Sequence, residues 1–298
     1  MRTTTRNDYL ERMNTVLLHI QANLDTELSL EGLAAQTCFS PTHFHRIFKG
    51  MMGETVIDHI RRIRLERAAL RLCFGDHTVT GTAFDAGYET VESFSRAFKK
   101  MFGCPPSKYQ ERHWQETHDK FPGLIHYRPD ATREAFRLKE RTETNMKVRI
   151  ENVEAMRVAF IRKTGPYNEC GDAWDRLCAW ADSKGLFRAD TKFLGVSHDA
   201  PQVTPPDKIR YDACFTVDRD VNGEGEIGIQ TVGGGRYAVT THKGPYDGLE
   251  ATYAELMGQW LPHSGERFGS NLCFELYLND HQSTPPEELL TDIYISIE

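Results

Sequence analysis

No stretch of this 298-residue chain is apolar for long enough to cross a bilayer, and the opening residues, MRTTTRNDYLERMN, lack the apolar run of a secretory leader. Neither a membrane partner nor export is expected. The seven cysteines, Cys38, Cys73, Cys104, Cys170, Cys178, Cys214 and Cys273, are odd in number and never fall as C-x-x-C. That pattern argues against a disulfide scaffold and a cysteine zinc site, and fits reduced thiols in a cytoplasmic protein. A nucleophile beside a base and a cluster with metal-ligand spacing are also missing, so no metal or other cofactor is expected. Positive charge is scarce: the net charge is −7. Spread evenly, that would argue against nucleic acid. It is not spread evenly, because residues 1–118 carry 15 basic and 14 acidic side chains while residues 146–298 carry 15 and 24.

What the sequence does contain is a short helix pattern written twice. In SPTHFHRIFKGMMG, Ser40 is a good N-cap, Pro41 stands in the first turn, and Phe44, Ile47 and Phe48 share one face. Thr42, His45, Arg46 and Lys49 lie off that face and carry groups that bond base edges or phosphates. About fifty residues on, Phe94, Arg96, Phe98, Lys99 and Gly103 repeat Phe44, Arg46, Phe48, Lys49 and Gly53. Upstream, Leu30, Gly32, Ala34 and Phe39 match Val79, Gly81, Ala83 and Tyr88. Helix, turn and phenylalanine-anchored helix therefore occur twice.

Taken in order, Asp8 to Leu24 places Leu10, Met13, Leu17, Ile20 and Leu24 at helical spacing. Ser29 caps a helix to Gln36. Glu54 to Cys73 reads as a long helix joining the two units, with Arg61, Arg62, Arg64, Arg67 and Arg71 grouped on it as a source of phosphate contacts. The second unit runs through helices Val79–Ala86 and Thr90–Phe102, then Pro105 and Pro106 lead to a closing helix ending near His118.

Residues 8–118 resemble the DNA-binding domain of the AraC/XylS family of bacterial transcription regulators, in the doubled motif, Arg64 and Ala68 of the joining helix, and the ending GCPPSKY from Gly103 to Tyr109. By position, the resemblance implies base reading by Thr42, His45 and Arg46 in the first unit and by Val91, Glu92, Ser95 and Arg96 in the second, with Lys49 and Lys99 beside them. Glu92 either selects a cytosine amino group or lies at the groove edge, and Gln110 stands where the family usually has arginine.

Residues 119–145 read as a linker with a short helix at Thr132–Lys139. Beyond it lies a second repeat: Ala159, Gly165-Pro166-Tyr167 and Leu177 match Ala238, Gly244-Pro245-Tyr246 and Leu256. Each half reads as strand, G-P-Y turn, helix, strand, strand, with strands near 156–162, 193–197 and 210–217, then 236–242, 272–277 and 290–297. The fold expected is an all-α double helix-turn-helix domain, 1–118, followed by an α+β domain, 146–298, of two pseudo-twofold strand-helix-strand-strand repeats. Helices are expected on one face of its sheet and a cleft on the other.

This half is similar to the GyrI-like effector-binding domain, on the strength of its G-P-Y turns and the strand FELY. In Leu272 to Tyr277, Leu272, Phe274 and Leu276 alternate with Cys273, Glu275 and Tyr277. If the apolar set faces the helices, Glu275 faces the cleft; its counterpart in the first half is Gly195 or Val196, so the charge occurs in one copy only. The resemblance implies an acidic ligand contact here, carried to Glu275, with Tyr277 and Tyr294 as the rings sharing that face; a small cationic amphipathic effector suits a carboxylate among aromatic rings. The paired G-P-Y turns, Trp174 and Trp180 read as structural.

The expected function is that of a ligand-responsive transcription regulator, without enzymatic activity. Its partners are double-stranded DNA, a small effector and RNA polymerase, and two units in one chain make a monomer sufficient. Two alternatives stay open: a hydrolase with Glu275 as general base and a tyrosine as acid, and a binding-only antagonist gripping a protein.

Overall fold

The computed structural model describes residues 2–74, 77–109, 125–129, 144–218 and 220–298. The closing helix to His118, the helix at Thr132–Lys139 and Gln110 lie outside them. The chain divides into two compact units, residues 7–142 and residues 1–6 with 143–298.

Among the described residues of the first unit the helices are α1 (Arg2–Ala22, its first residues counted with the second unit), α2 (Leu30–Ala35), α3 (Pro41–Met52), α4 (Val56–Phe74), α5 (Val79–Asp85) and α6 (Val91–Phe102). The two copies are built alike down to their caps. Ser29 Oγ accepts from Gly32 N–H and Thr78 Oγ1 from Gly81 N–H, both at 3.1 Å. Ser40 and Thr90 cap α3 and α6 through the amides of His43 and Ser93. Both recognition-type helices end on a left-handed glycine, Gly53 at φ 79° and Gly103 at φ 80°, a backbone that a Cβ would strain. Phe44, Ile47, Phe48, Phe94 and Phe98 are fully buried, as their spacing requires. The closing Pro-Pro-Ser-Lys-Tyr turns as a 3-10 helix at Pro106–Lys108, which brings Tyr109 edge-on to Phe98 at 5.1 Å and to Phe102 at 5.0 Å.

The second unit carries one eight-stranded antiparallel sheet in the order β1-β6-β8-β7-β3-β4-β2-β5. Its strands are β1 (Arg149–Val153), β2 (Met156–Thr164), β3 (Phe193–Ser197), β4 (Arg210–Thr216), β5 (Gly228–Val232), β6 (Gly235–Lys243), β7 (Phe274–Tyr277) and β8 (Leu290–Ile297), with helices α7 (Gly171–Ser183) and α8 (Leu249–Glu255). Six strands fall where the sequence pattern puts them. β1 and β5 do not follow from it: each precedes its own repeat but pairs with the first strand of the other, β1 on β6 and β5 on β2. The halves are thereby locked together, and β7 and β3 meet at the centre with Gly195 opposite Glu275.

Leu256 and Trp260 are four residues apart where Leu177 and Trp180 are three, so the second repeat carries one extra residue, and its helix takes it up. Leu177 and Ala181, four apart in α7, are both fully buried; their counterparts Leu256 and Leu261 are five apart and equally buried. A π turn at Leu256–Trp260, leading to a short helix α9 (Leu261–Ser264), absorbs the difference.

Candidate DNA-reading helices and a buried carboxylate site

The two recognition-type helices differ in exposure. On α6, Glu92, Arg96 and Lys99 are exposed and Val91 and Ser95 half-buried. On α3, Thr42, His45 and Arg46 are buried, His45 completely and Arg46 at 3% exposure, with Lys49 half-buried. The expectation of an open face on α3 is therefore corrected. Helical spacing says which residues share a face, and it does not say which faces are covered.

A second correction concerns the arginines of α4. Arg67 makes a bidentate pair with Asp25 at 2.6 and 2.9 Å, Arg64 donates to the carbonyls of Leu24 and Thr26, and Arg71 bonds Asp85. Arg62 sits between Glu54 and fully buried Glu66. Four of the five thus hold the helices together, and Arg61 alone of the five is exposed. Burial raises the Glu54 carboxyl pKa, but hydrogen bonds from His59 and Arg62 and the Arg62 charge outweigh it and bring it to about 2. Burial lowers the pKa of His59, which Glu54 only partly offsets.

In the second unit, Glu275 lies on the helix-bearing face. That reverses the expected orientation, in which the apolar set of β7 met the helices. Phe274 points the other way, stacked on Tyr294 at 4.4 Å in an apolar cluster with Leu194, Val196 and Val239. Tyr294 pairs with Phe274 in register, whereas Glu275 pairs with Ile293. Tyr294 and Glu275 are on opposite faces, so the expectation that they share one is corrected.

What surrounds Glu275 is a ring of hydroxyls. The carboxylate is 4% exposed. Its Oε1 accepts from Ser197 Oγ at 3.0 Å and from Tyr253 OH at 3.2 Å, and its Oε2 accepts from Tyr277 OH at 3.0 Å. With the Tyr277 proton committed to Glu275, Tyr211 OH donates to Tyr277 Oη, 2.8 Å away. Burial raises the pKa of both phenols well above the usual tyrosine value, and the Glu275 charge adds to it, so both stay protonated donors. Further rings stand edge-on around this chain: Tyr167 on Tyr211 at 5.9 Å, and Tyr246 and Trp174 on Tyr277 at 5.5 and 5.9 Å.

Gly195 makes the space. A Cβ there would lie 2.3 Å from Tyr277 Oη and 2.6 Å from Tyr211 Oη. Gly195→Ala is expected to push the phenols apart and cost about 1 to 3 kcal/mol of stability, read as a lower urea midpoint for the full chain; an unchanged midpoint would mean the phenols move without cost.

Among the predicted ligand residues, Glu275 and Tyr277 are thus brought together and Tyr294 is not. Ser197, Tyr211, Tyr253, Tyr167, Tyr246 and Trp174 were not anticipated. The repeated G-P-Y was the available signal for two of them, since its tyrosines flank the site from both halves. No described group of three or more His, Cys, Asp or Glu is placed to hold a metal, and no described helix is long and apolar enough to cross a membrane.

The model of the GyrI-like small molecule binding domain matches residues 146–298. The chain belongs to the GyrI-like family. A helix-turn-helix domain model of AraC type matches residues 33–112 of this GyrI-like chain. Among its relatives, the uncharacterized HTH-type transcriptional regulator YbfP of Bacillus subtilis is 35% identical over 102 residues, 34% of this chain and 35% of YbfP. The probable transcriptional regulator YgiV of Escherichia coli is 30% identical over 125 residues, 41% of this chain and 78% of YgiV. Among solved structures, the EcmrR C-terminal domain covers 52% of this chain and 99% of its own at 20% identity, with a TM-score of 0.43. The chain thus joins a helix-turn-helix domain to a GyrI-like domain, and it spans about a third to a half of the length of the first curated relatives it matches.

Proposed function

We propose that the chain is a ligand-responsive regulator whose exposed helix α6 reads a major-groove segment, whose helix α3 reads a second one only in a conformation that uncovers Thr42, His45 and Arg46, and whose C-terminal domain binds a small cationic amphipathic molecule at Glu275. The observation that carries the effector reading is the buried carboxylate held by hydroxyls. Three neutral donors, Ser197, Tyr253 and Tyr277, bond the carboxylate inside a shell of aromatic rings. A positive ligand at this place gains the ion pair in a medium that screens poorly, together with attraction to the ring faces. By population shift, it alters DNA binding to the extent that it prefers one conformation of the regulator over another. Duplex DNA, the effector and RNA polymerase are the partners this reading requires, and two reading helices in one chain let a monomer suffice.

The test uses the full chain and a DNA site selected from random duplexes. A lipophilic quaternary ammonium ion is expected to change tryptophan fluorescence saturably, because Trp174 packs on Tyr277, and to shift the DNA affinity. Saturable binding with no shift in DNA affinity would remove the regulatory half of the reading. For the DNA half, Arg96→Ala is expected to cost about 1 to 3 kcal/mol on the selected site while leaving the denaturation midpoint in place, since the side chain is exposed. An equal loss on random duplexes would reduce Arg96 to a phosphate contact.

A further inference from the structure

Residues 125–129, Ile-His-Tyr-Arg-Pro, follow the helix-turn-helix region and lead toward the C-terminal domain, and buried side chains of α1 and α4 hold them through their backbone. Glu66, fully buried in the middle of α4, accepts the Tyr127 amide at 2.7 Å through Oε2, while His126 Nδ1 lies 3.0 Å from its Oε1. Arg62 donates to the Ile125 carbonyl at 2.8 Å. Gln21 of α1 grips the backbone on both sides of Tyr127: its Nε2 donates to the His126 carbonyl at 3.0 Å and its Oε1 accepts the Arg128 amide at 2.9 Å. Four backbone groups of one short segment are thus met by the side chains of three buried residues. Contacts through the backbone of an extended peptide are how a cleft takes a strand.

The same side chains reach α3. Arg62 and Glu66 are bonded at 2.7 Å, and Arg62 makes a bidentate pair with Glu54, one residue beyond the glycine that ends α3. His59 bonds Glu54 and packs edge-on against Phe48 of α3 at 5.5 Å. A buried charged network is stable when every member is satisfied and costly when one partner leaves. Loss of the strap would leave Glu66 without the Tyr127 amide and His126.

We infer that the α1–α4 cleft is a docking site for residues 125–129, and that occupation of it fixes the placement of α3 and α4 on which DNA binding depends. Release of this strap by events in the C-terminal domain is then the route by which an effector acts on DNA binding, a step that rests on the regulator reading above. Chain order places the strap between the helix-turn-helix region and the C-terminal domain, and the Glu66 network ties its position to α3.

The experiment uses the full chain. Tyr127→Pro removes the amide that Glu66 accepts and leaves the cleft side chains in place; Gln21→Ala removes the other grip as a milder variant. Hydrogen exchange read by mass spectrometry is expected to show the 125–129 peptide of the wild type protected together with α4, and exposed in Tyr127→Pro. Affinity for the selected duplex is expected to fall at least tenfold in Tyr127→Pro, and by less in Gln21→Ala, with the helical circular-dichroism signal retained. Rapid exchange at 125–129 in the wild type overturns the docking. Protected exchange in the wild type with undiminished DNA affinity in both variants overturns the coupling. Failure of the wild-type chain to bind any duplex specifically removes the regulator reading instead, and leaves the exchange result to decide the docking. If Tyr127→Pro loses its helical signal, Gln21→Ala decides the coupling alone.

Discussion

Glu275→Gln in the full chain is expected to weaken binding of a lipophilic quaternary ammonium ion by about 2 to 5 kcal/mol, roughly 30-fold to several thousand-fold in Kd. The substitution is nearly isosteric, and the amide oxygen still accepts from Ser197 and Tyr253, so the hydroxyl ring keeps most of its partners. What is lost is the charge. At 4% exposure that charge is poorly screened, and it is the part of the site that the substitution takes from a cation and not from a neutral molecule of the same shape. Calorimetric titration with the ammonium ion and its neutral carbon isostere separates the possibilities. Loss confined to the cation supports recognition of charge. Equal loss for both would make Glu275 a residue that shapes the ring cluster, and retained cation binding would place the effector elsewhere.

Glu66→Ala is expected to have the largest effect on stability, about 3 to 5 kcal/mol, because it removes one member of a buried charged network and leaves the others short of partners. Arg62 keeps Glu54, but the Tyr127 amide and His126 lose their acceptor. Urea denaturation followed by circular dichroism measures this directly. Arg61→Ala on the same helix is the internal comparison: its side chain is exposed, and a change within about 0.5 kcal/mol is expected. If the two variants unfold alike, Glu66 contributes no more than a surface ion pair does.

These two carboxylates mark the limit of what residue patterns convey. Glu275 was legible because it breaks an internal symmetry: the two halves are copies, and a charge in one copy has no scaffold counterpart. Its cross-strand neighbour is Gly195, and that glycine explains the asymmetry sterically, since any side chain there would fill the space of the two phenols. Glu66 gave no such signal. A glutamate among arginines on a long helix reads as a solvated face, and only the arrival of residues 125–127 from sixty positions away buries it. The arginines of α4 misled for the same reason. Grouped in sequence they suggest phosphate contacts, yet Asp25, Glu54 and Asp85, brought in by folding, claim three of them.

The sequence by itself determined the two pairs of helices, their caps and glycine stops, the six central strands and the location of the acidic ligand candidate. All of these follow from local rules: side-chain period, capping chemistry and the repetition of both in a second copy. Tertiary structure alone decided which face of β7 meets the helices, and it separated Tyr294 from Glu275. It also added β1 and β5 to the opposite halves of the sheet and covered the outer face of α3. Alternation along a strand fixes which residues point together and leaves the two directions equivalent. That choice belongs to the packing partner, which is a long-range contact and has no period to read.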